Sequence, residues 1–131
     1  MITLHHTGFI VDNIDEYEKK MFFERKVTDV IDDIQNARLS LYENYCNTNV
    51  FIELIQPLNE KAFTMNALTK HGNHFNHFCY SVDSVEEMKE VAANSKLISI
   101  LEPIPAILFD NKKVAFYYGR NRQVIEFLIL N

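Results

Sequence analysis

Leu4-His5-His6-Thr7-Gly8-Phe9-Ile10-Val11-Asp12-Asn13-Ile14-Asp15-Glu16 returns later in the same chain, in altered wording, as Phe75-Asn76-His77-Phe78-Cys79-Tyr80-Ser81-Val82-Asp83-Ser84-Val85-Glu86-Glu87. The shift is a constant 71, and His6, Val11, Asp12 and Glu16 meet identical partners. Each copy is a run of strand formers that leads into a cap signal, Asp12-Asn13 or Asp83-Ser84, and then into acidic residues suited to a first helical turn. Near the end of each half, Phe51-Ile52-Glu53-Leu54-Ile55 matches Val124-Ile125-Glu126-Phe127-Leu128 at a shift of 73, so Glu53 pairs with Glu126. Two units that cannot bury their sheets alone can do so by pairing.

Working outward from the repeat, residues 3–11 read as a strand, and apolar Ile14, Tyr17, Met21 and Phe22 recur at helical spacing up to about residue 23. Extended segments follow at roughly 26–34, 37–44 and 49–56, separated by polar clusters such as Asp32-Asp33 and Asn44-Tyr45-Cys46-Asn47. Residues from Pro57 to about His71 form a connection with a helix expected near 60–69. The second half repeats the order: strand 74–82, helix 85–94, and strands near 97–102, 112–119 and 123–130. The expected fold is α+β, two βαβββ modules at about 1–57 and 73–131 joined through 58–72, in one domain.

The 131 residues suffice for a single core without staples. No apolar run approaches the length of a membrane helix, and the N-terminus lacks the basic start and apolar stretch of a signal peptide, so a cytoplasmic protein with no membrane contact is expected. Cys46 and Cys79 lack CxxC spacing and read as free thiols. The net charge of −5 comes from interspersed acids and bases, which leaves no basic stripe for nucleic acid. Local cations such as Lys112, Lys113, Arg120 and Arg122 would have to offset that charge for an anionic substrate.

His6, Glu53, His77 and Glu126 each sit inside an otherwise apolar strand. Burying an ionised carboxylate without a partner costs at least several kcal/mol. Either glutamate taken alone is explained by a strand with one wet face. One His and one Glu at equivalent places in each half are better explained by a shared divalent metal ion, brought to the centre by pseudo-twofold symmetry. Period two puts Cys79 and Ser81 on the face of His77, and Gly8 on the face of His6 with space beside it. The same alternation points His5 away from His6, and His71 and His74 flank the fifth strand, so these three are expected outside the ligand set. Phe9, Tyr42, Phe116, Tyr117 and Tyr118 are more aromatic surface than one small core needs, and serve either a dimer or the lining of a cup.

On these residues the chain resembles the vicinal oxygen chelate superfamily, which includes glyoxalase I, methylmalonyl-CoA epimerase, bleomycin-resistance proteins and extradiol dioxygenases. Leu4–Ile14 resembles the opening strand of that family, Asn49–Leu58 its first Glu strand, Asn76–Asp83 its second His strand and Asn111–Leu130 its closing hairpin. The resemblance implies an open cup-shaped mixed sheet with flanking helices around one divalent ion. It puts His6, Glu53, His77 and Glu126 at the ligand positions. Co, Ni, Mn, Fe and Zn all suit that mixed N/O set.

The wording Glu53-Leu54-Ile55-Gln56-Pro57-Leu58 and the pair Asn76-His77 are nearest to methylmalonyl-CoA epimerases and small glyoxalase I-like proteins. The implied reaction is an isomerase or lyase step on a small acyl-thioester or hemithioacetal, in which an acidified C–H is deprotonated to an enolate or enediolate. Glu126 and Glu53 would be acid/base groups as well as ligands, and Asp33 would be a further carboxylate across the substrate. The alternatives are a lactoylglutathione lyase of glyoxalase I type, an antibiotic-binding module without chemistry, and an extradiol-type dioxygenase that would leave Glu53 unexplained. Dimers are common in that family, so a homodimer is expected.

Overall fold

The computed structural model describes residues 1–21, 23–44 and 49–131. Its elements run β1 (Thr3–Ile10), α1 (Ile14–Glu18), β2 (Phe23–Asp32), β3 (Ala37–Asn44) and β4 (Phe51–Pro57). Then come α2 (Met65–His71), β5 (His74–Val82), α3 (Val85–Asn94), β6 (Ile98–Ala106), β7 (Lys112–Tyr118) and β8 (Val124–Ile129). The eight strands form one mixed sheet in the order β2-β3-β4-β1-β5-β8-β7-β6. β1 runs parallel to β4 and β5 parallel to β8, while β1 and β5 meet antiparallel at the middle, where the repeat predicts a pseudo-twofold axis. The α+β cup of two βαβββ units expected from the sequence is the observed fold.

The helices start where their caps say they should. Asn13 accepts from the Glu16 amide at 3.0 Å and Ser84 from the Glu87 amide at 3.1 Å, each satisfying an amide that a helix N-terminus otherwise leaves unpaired. On the outer face α1 packs Ile14 with Val11, Tyr42 and Leu54, and α3 packs Met88 with Val82, Ala115, Tyr117 and Phe127. Inside the cup, Ile10, Leu39, Leu41 and Ile55 form one apolar layer, and Cys79, Val114, Phe116 and Leu128 form the other. Most of the aromatic surplus is thus used within the chain, with Tyr42 and Tyr117 under helices and Phe116 in the cup.

Four boundaries differ from the sequence reading. α1 stops at Glu18, although Met21 still packs against its cluster; the expectation for Phe22 falls outside the described residues, as do those for Tyr45, Cys46 and Asn47. β2 begins at Phe23 rather than 26. α2 begins at Met65 rather than near 60, because Asn59 heads a turn of its own, its side chain accepting from the Lys61 amide and its carbonyl from the Ala62 amide. β6 extends to Ala106 through Pro103 and Pro105, which an edge strand tolerates since the missing N–H groups have no neighbour to serve on the open side.

The connections β2–β3 and β6–β7 occupy equivalent places but fold differently. The first is a short turn. The second is a one-turn 310 helix, Ile107–Phe109, that crosses over to the first module and buries Leu108 against Ile10, Leu39 and Ile55. It stitches the halves together across the cup.

Candidate metal centre

The four central strands each bring one polar side chain to the cup floor. Glu53 lies beside Gly8 in the parallel pair β1–β4, and Glu126 beside Cys79 in β5–β8, the position 71 residues after Gly8. His6 and His77 complete the set from β1 and β5. All four are buried, with no more than 4% exposure.

Their donor atoms converge. His6 Nε2 is 3.1 Å from Glu53 Oε1 and 3.0 Å from Glu126 Oε1, and His77 Nε2 is 3.3 and 3.0 Å from the same two oxygens. The two Nε2 atoms are 3.2 Å apart. Donors around an octahedral ion with bonds of about 2.1 Å are about 3.0 Å apart along an edge, so the spacing is that of a coordination shell. Glu53 Oε1 and Glu126 Oε1 are buried with no hydrogen-bond partner despite that closeness. Two imidazole nitrogens and two orphaned carboxylate oxygens aimed at one another are a donor set that fits a divalent cation.

Gly8 makes the space. A Cβ on it would stand 2.6 Å from His77 Nε2, inside the imidazole. The room beside His6 expected from the sequence is filled by the second ligand ring.

Without a cation the site shares protons. Burial alone would depress both imidazoles, but Glu126 and Glu53 outweigh it, so His6 lies above its usual value and His77 is pushed up to about 10. Burial would raise the carboxyls, and the two imidazoles reverse that, holding Glu53 and Glu126 below the usual carboxylate range. Burial, followed by the nearby carboxylates, lifts the Cys79 thiol well above its ordinary value.

Asp33 does not join the cluster. It sits exposed on the β2–β3 turn, five residues beyond Thr28, which shares a level with Leu41 and Glu53. That is about 16 Å along the strand. The doublet Asp32-Asp33 is a turn former: Asp32 accepts from the Ile34 and Gln35 amides.

His5 corrects a second expectation. Its Nδ1 is 2.9 Å from His6 Nδ1, although strict alternation would send it to the other face. The β1–β5 register slips between Leu4 and His6, so alternation fails there. Burial, then His6, lowers its pKa to about 4, leaving it neutral. His71 and His74 pack on each other away from the cluster.

Sequence reasoning missed Phe109, whose ring stacks on His6 at 5.5 Å and meets His5 edge-on at 5.4 Å. It also missed a cavity of about 280 Å³ lined mainly by apolar groups, including Phe63, Leu101, Phe116 and Val124. Phe116 packs edge-on against His77, so the cavity borders the cluster. Its polar lining includes Asn76 and Thr64, whose buried hydroxyl has no partner.

Residues 5–116 match the model of the Glyoxalase/Bleomycin resistance protein/Dioxygenase superfamily. No curated protein matches the chain. Among solved structures, a hypothetical protein from Bacillus halodurans superposes with a TM-score of 0.83 at 22% identity, over 99% of this chain and 95% of its own. Methylmalonyl-CoA epimerase from Mycobacterium tuberculosis gives 0.79 at 20% identity, over 96% and 86%. A variant of the Streptomyces coelicolor methylmalonyl-CoA epimerase in complex with 2-nitronate-propionyl-CoA gives 0.77 at 13%, over 96% and 95%. At these identities the likeness is one of fold.

Proposed function

The chain belongs to the Glyoxalase/Bleomycin resistance protein/Dioxygenase superfamily, and from that premise we propose that it is a divalent-metal-dependent isomerase or lyase, nearest in activity to methylmalonyl-CoA epimerase. The observation that carries this reading is the convergence of His6, Glu53, His77 and Glu126, with both Oε1 atoms orphaned. Those four residues would hold one ion, Co, Ni, Mn, Fe or Zn. When bound, it supplies a Lewis acid beside the substrate oxygens, worth several kcal/mol as negative charge develops there.

The residues of this chain supply the rest. Glu126 or Glu53 takes the proton from a carbon next to a carbonyl, and the C–H electron pair moves into the carbonyl as the bond breaks. The other carboxylate returns a proton to the opposite face of that carbon, which inverts it. Return to the adjacent carbon instead would give the glyoxalase I outcome. Placed acid/base groups of this kind contribute about 10²- to 10⁴-fold. The His77 contact from Phe116 and the His6 contact from Phe109 wall the site with apolar rings, keeping water from competing for the proton. Roles for Asp33 would need the β2–β3 turn to close over the substrate, so the acid/base pair is assigned to Glu53 and Glu126.

The substrate class is a small acyl-thioester or hemithioacetal. The solved neighbours in complex with 2-nitronate-propionyl-CoA and methylmalonyl-CoA favour the thioester, and the largely apolar cavity beside His77 suits its carbon chain. The protein is taken as one domain over 1–131, cytoplasmic, and active as a homodimer. No helix among the described residues is long and apolar enough to cross a membrane. For the dimer, exposed Val27, Ile31 and Ile34 on and beside edge strand β2, and Ile98 and Ile100 on edge strand β6, offer apolar surface.

The test is proton exchange in D2O. Metal-loaded protein with methylmalonyl-CoA should wash deuterium into the carbon between the two carbonyls, and E126Q should lose that exchange. Exchange into a hemithioacetal with formation of the hydroxyacyl thioester would shift the assignment to glyoxalase I. A loaded protein active on neither, yet binding small ligands in the cavity, would favour the sequestering module.

A further inference from the structure

The antiparallel pairing of β1 with β5 is interrupted twice. Leu4 and His6 face Tyr80 and Cys79, which are consecutive, so His5 is an extra residue on β1. Gly8 and Phe9 face His77 and Phe75, so Asn76 is an extra residue on β5. The two bulges fall 71 residues apart, at the same place in the repeat, each immediately before a ligand histidine.

In an unbroken strand the residue before His6 or His77 would point to the opposite face and reach nothing on this one. A bulge re-aims it. His5 Nδ1 accordingly comes within 2.9 Å of His6 Nδ1, and Asn76 Oδ1 within 2.8 Å of His77 Nδ1. Both contacts hold the ring nitrogen that faces away from the carboxylates. Asn76 Oδ1 can only accept, so His77 carries its proton on Nδ1. If His6 Nδ1 likewise donates to His5, both rings offer Nε2 to the centre once a cation takes the place of the proton there. The wall around His5, from Phe51 and Phe109 at 5.2 and 5.4 Å, holds it in place.

We propose that His5 and Asn76 are paired positioning residues, each placed by its own bulge to fix the Nδ1–H tautomer and ring orientation of the ligand histidine that follows it. The proposal rests on the metal reading above. Outer partners of this kind are typically worth about 10- to 100-fold in metal affinity. Because Asn does in the second half what His does in the first, the two side chains should be interchangeable at position 5.

The experiment is a cobalt titration of chelated, untagged protein followed by visible absorption, with circular dichroism to establish folding. H5A and N76A should each bind one cobalt about 10- to 100-fold more weakly, while H5N and N76D recover most of the wild-type affinity. Wild-type affinity in folded H5A and N76A would overturn the proposal while leaving the metal reading intact. So would two ions per chain with the second lost in both H5A and C79S, since the donor atoms of His5, His6 and Cys79 also lie within 4.8 Å of one another and His5 would then be a ligand. A folded wild type that takes up no cobalt would overturn both readings.

Discussion

Gly8 and His77 face each other across β1 and β5, and the imidazole of one occupies the space that a side chain on the other would fill. Gly8→Ala therefore has no cheap accommodation: the methyl group meets Cε1, Nε2 and Nδ1 of a ring whose Nδ1 is already held by Asn76. Overpacking a full core costs about 1–3 kcal/mol. G8A should melt several degrees lower and lose stoichiometric cobalt. An equally stable G8A with wild-type affinity would mean that His77 is free to turn elsewhere.

Glu126→Gln keeps the shape of the side chain and removes its charge. If Glu126 moves the proton, exchange at the substrate carbon should fall by about 10²- to 10⁴-fold, with any cobalt still bound measured in the same samples. Unchanged turnover of every thioester and hemithioacetal tested would end the acid/base assignment.

Metal uptake should strengthen as pH rises. In the metal-free protein the carboxylates outweigh burial, so His6 is raised and His77, pushed up to about 10, holds its proton at neutral pH. A cation must displace that proton, and a proton released on binding makes affinity climb with pH, by up to about tenfold per unit. Cobalt titrations at pH 6, 7 and 8 should show that rise, and a flat profile would contradict the shared-proton site. In the metal-free protein an imidazole near 6.5 when unfolded and about 10 when folded contributes its full stabilisation below the first value. That stabilisation fades as pH approaches 10, so the advantage of the loaded form should widen on the alkaline side.

Thr64→Val exchanges a buried hydroxyl that has no partner for a methyl group. Removing an unsatisfied polar atom is neutral or stabilising by about 1 kcal/mol, so the melting temperature should hold or rise. If the cavity receives the substrate, KM should rise while cobalt affinity stays put. Unchanged KM would place the substrate elsewhere.

The fold was legible because the repeat carries polar residues in step. Asp12-Asn13 and Asp83-Ser84 announce the helix starts, and His6, Glu53, His77 and Glu126 stand out as polar residues in apolar strands. His5 was misread because period-two alternation assumes an unbroken ladder, and a bulge is a property of two strands in register. Nothing in Leu4-His5-His6 alone reveals it. Phe109 was missed for a related reason: it lies in a connection with no periodicity, and its stacking on His6 depends on the 310 turn crossing to the other module. Asp33 lies on the exposed β2–β3 turn, where its distance from the cluster depends on how β2 and β3 pair rather than on its own sequence neighbours.

Whether the four converging side chains hold one ion is decided by elemental analysis of untagged protein beside H77A, each chelated and then offered cobalt. About one ion per wild-type chain, and none retained by the variant, is the expected result. A folded wild-type protein without a stoichiometric ion would contradict it, and the cup would then be a binding module in which the buried imidazoles and carboxylates serve only one another.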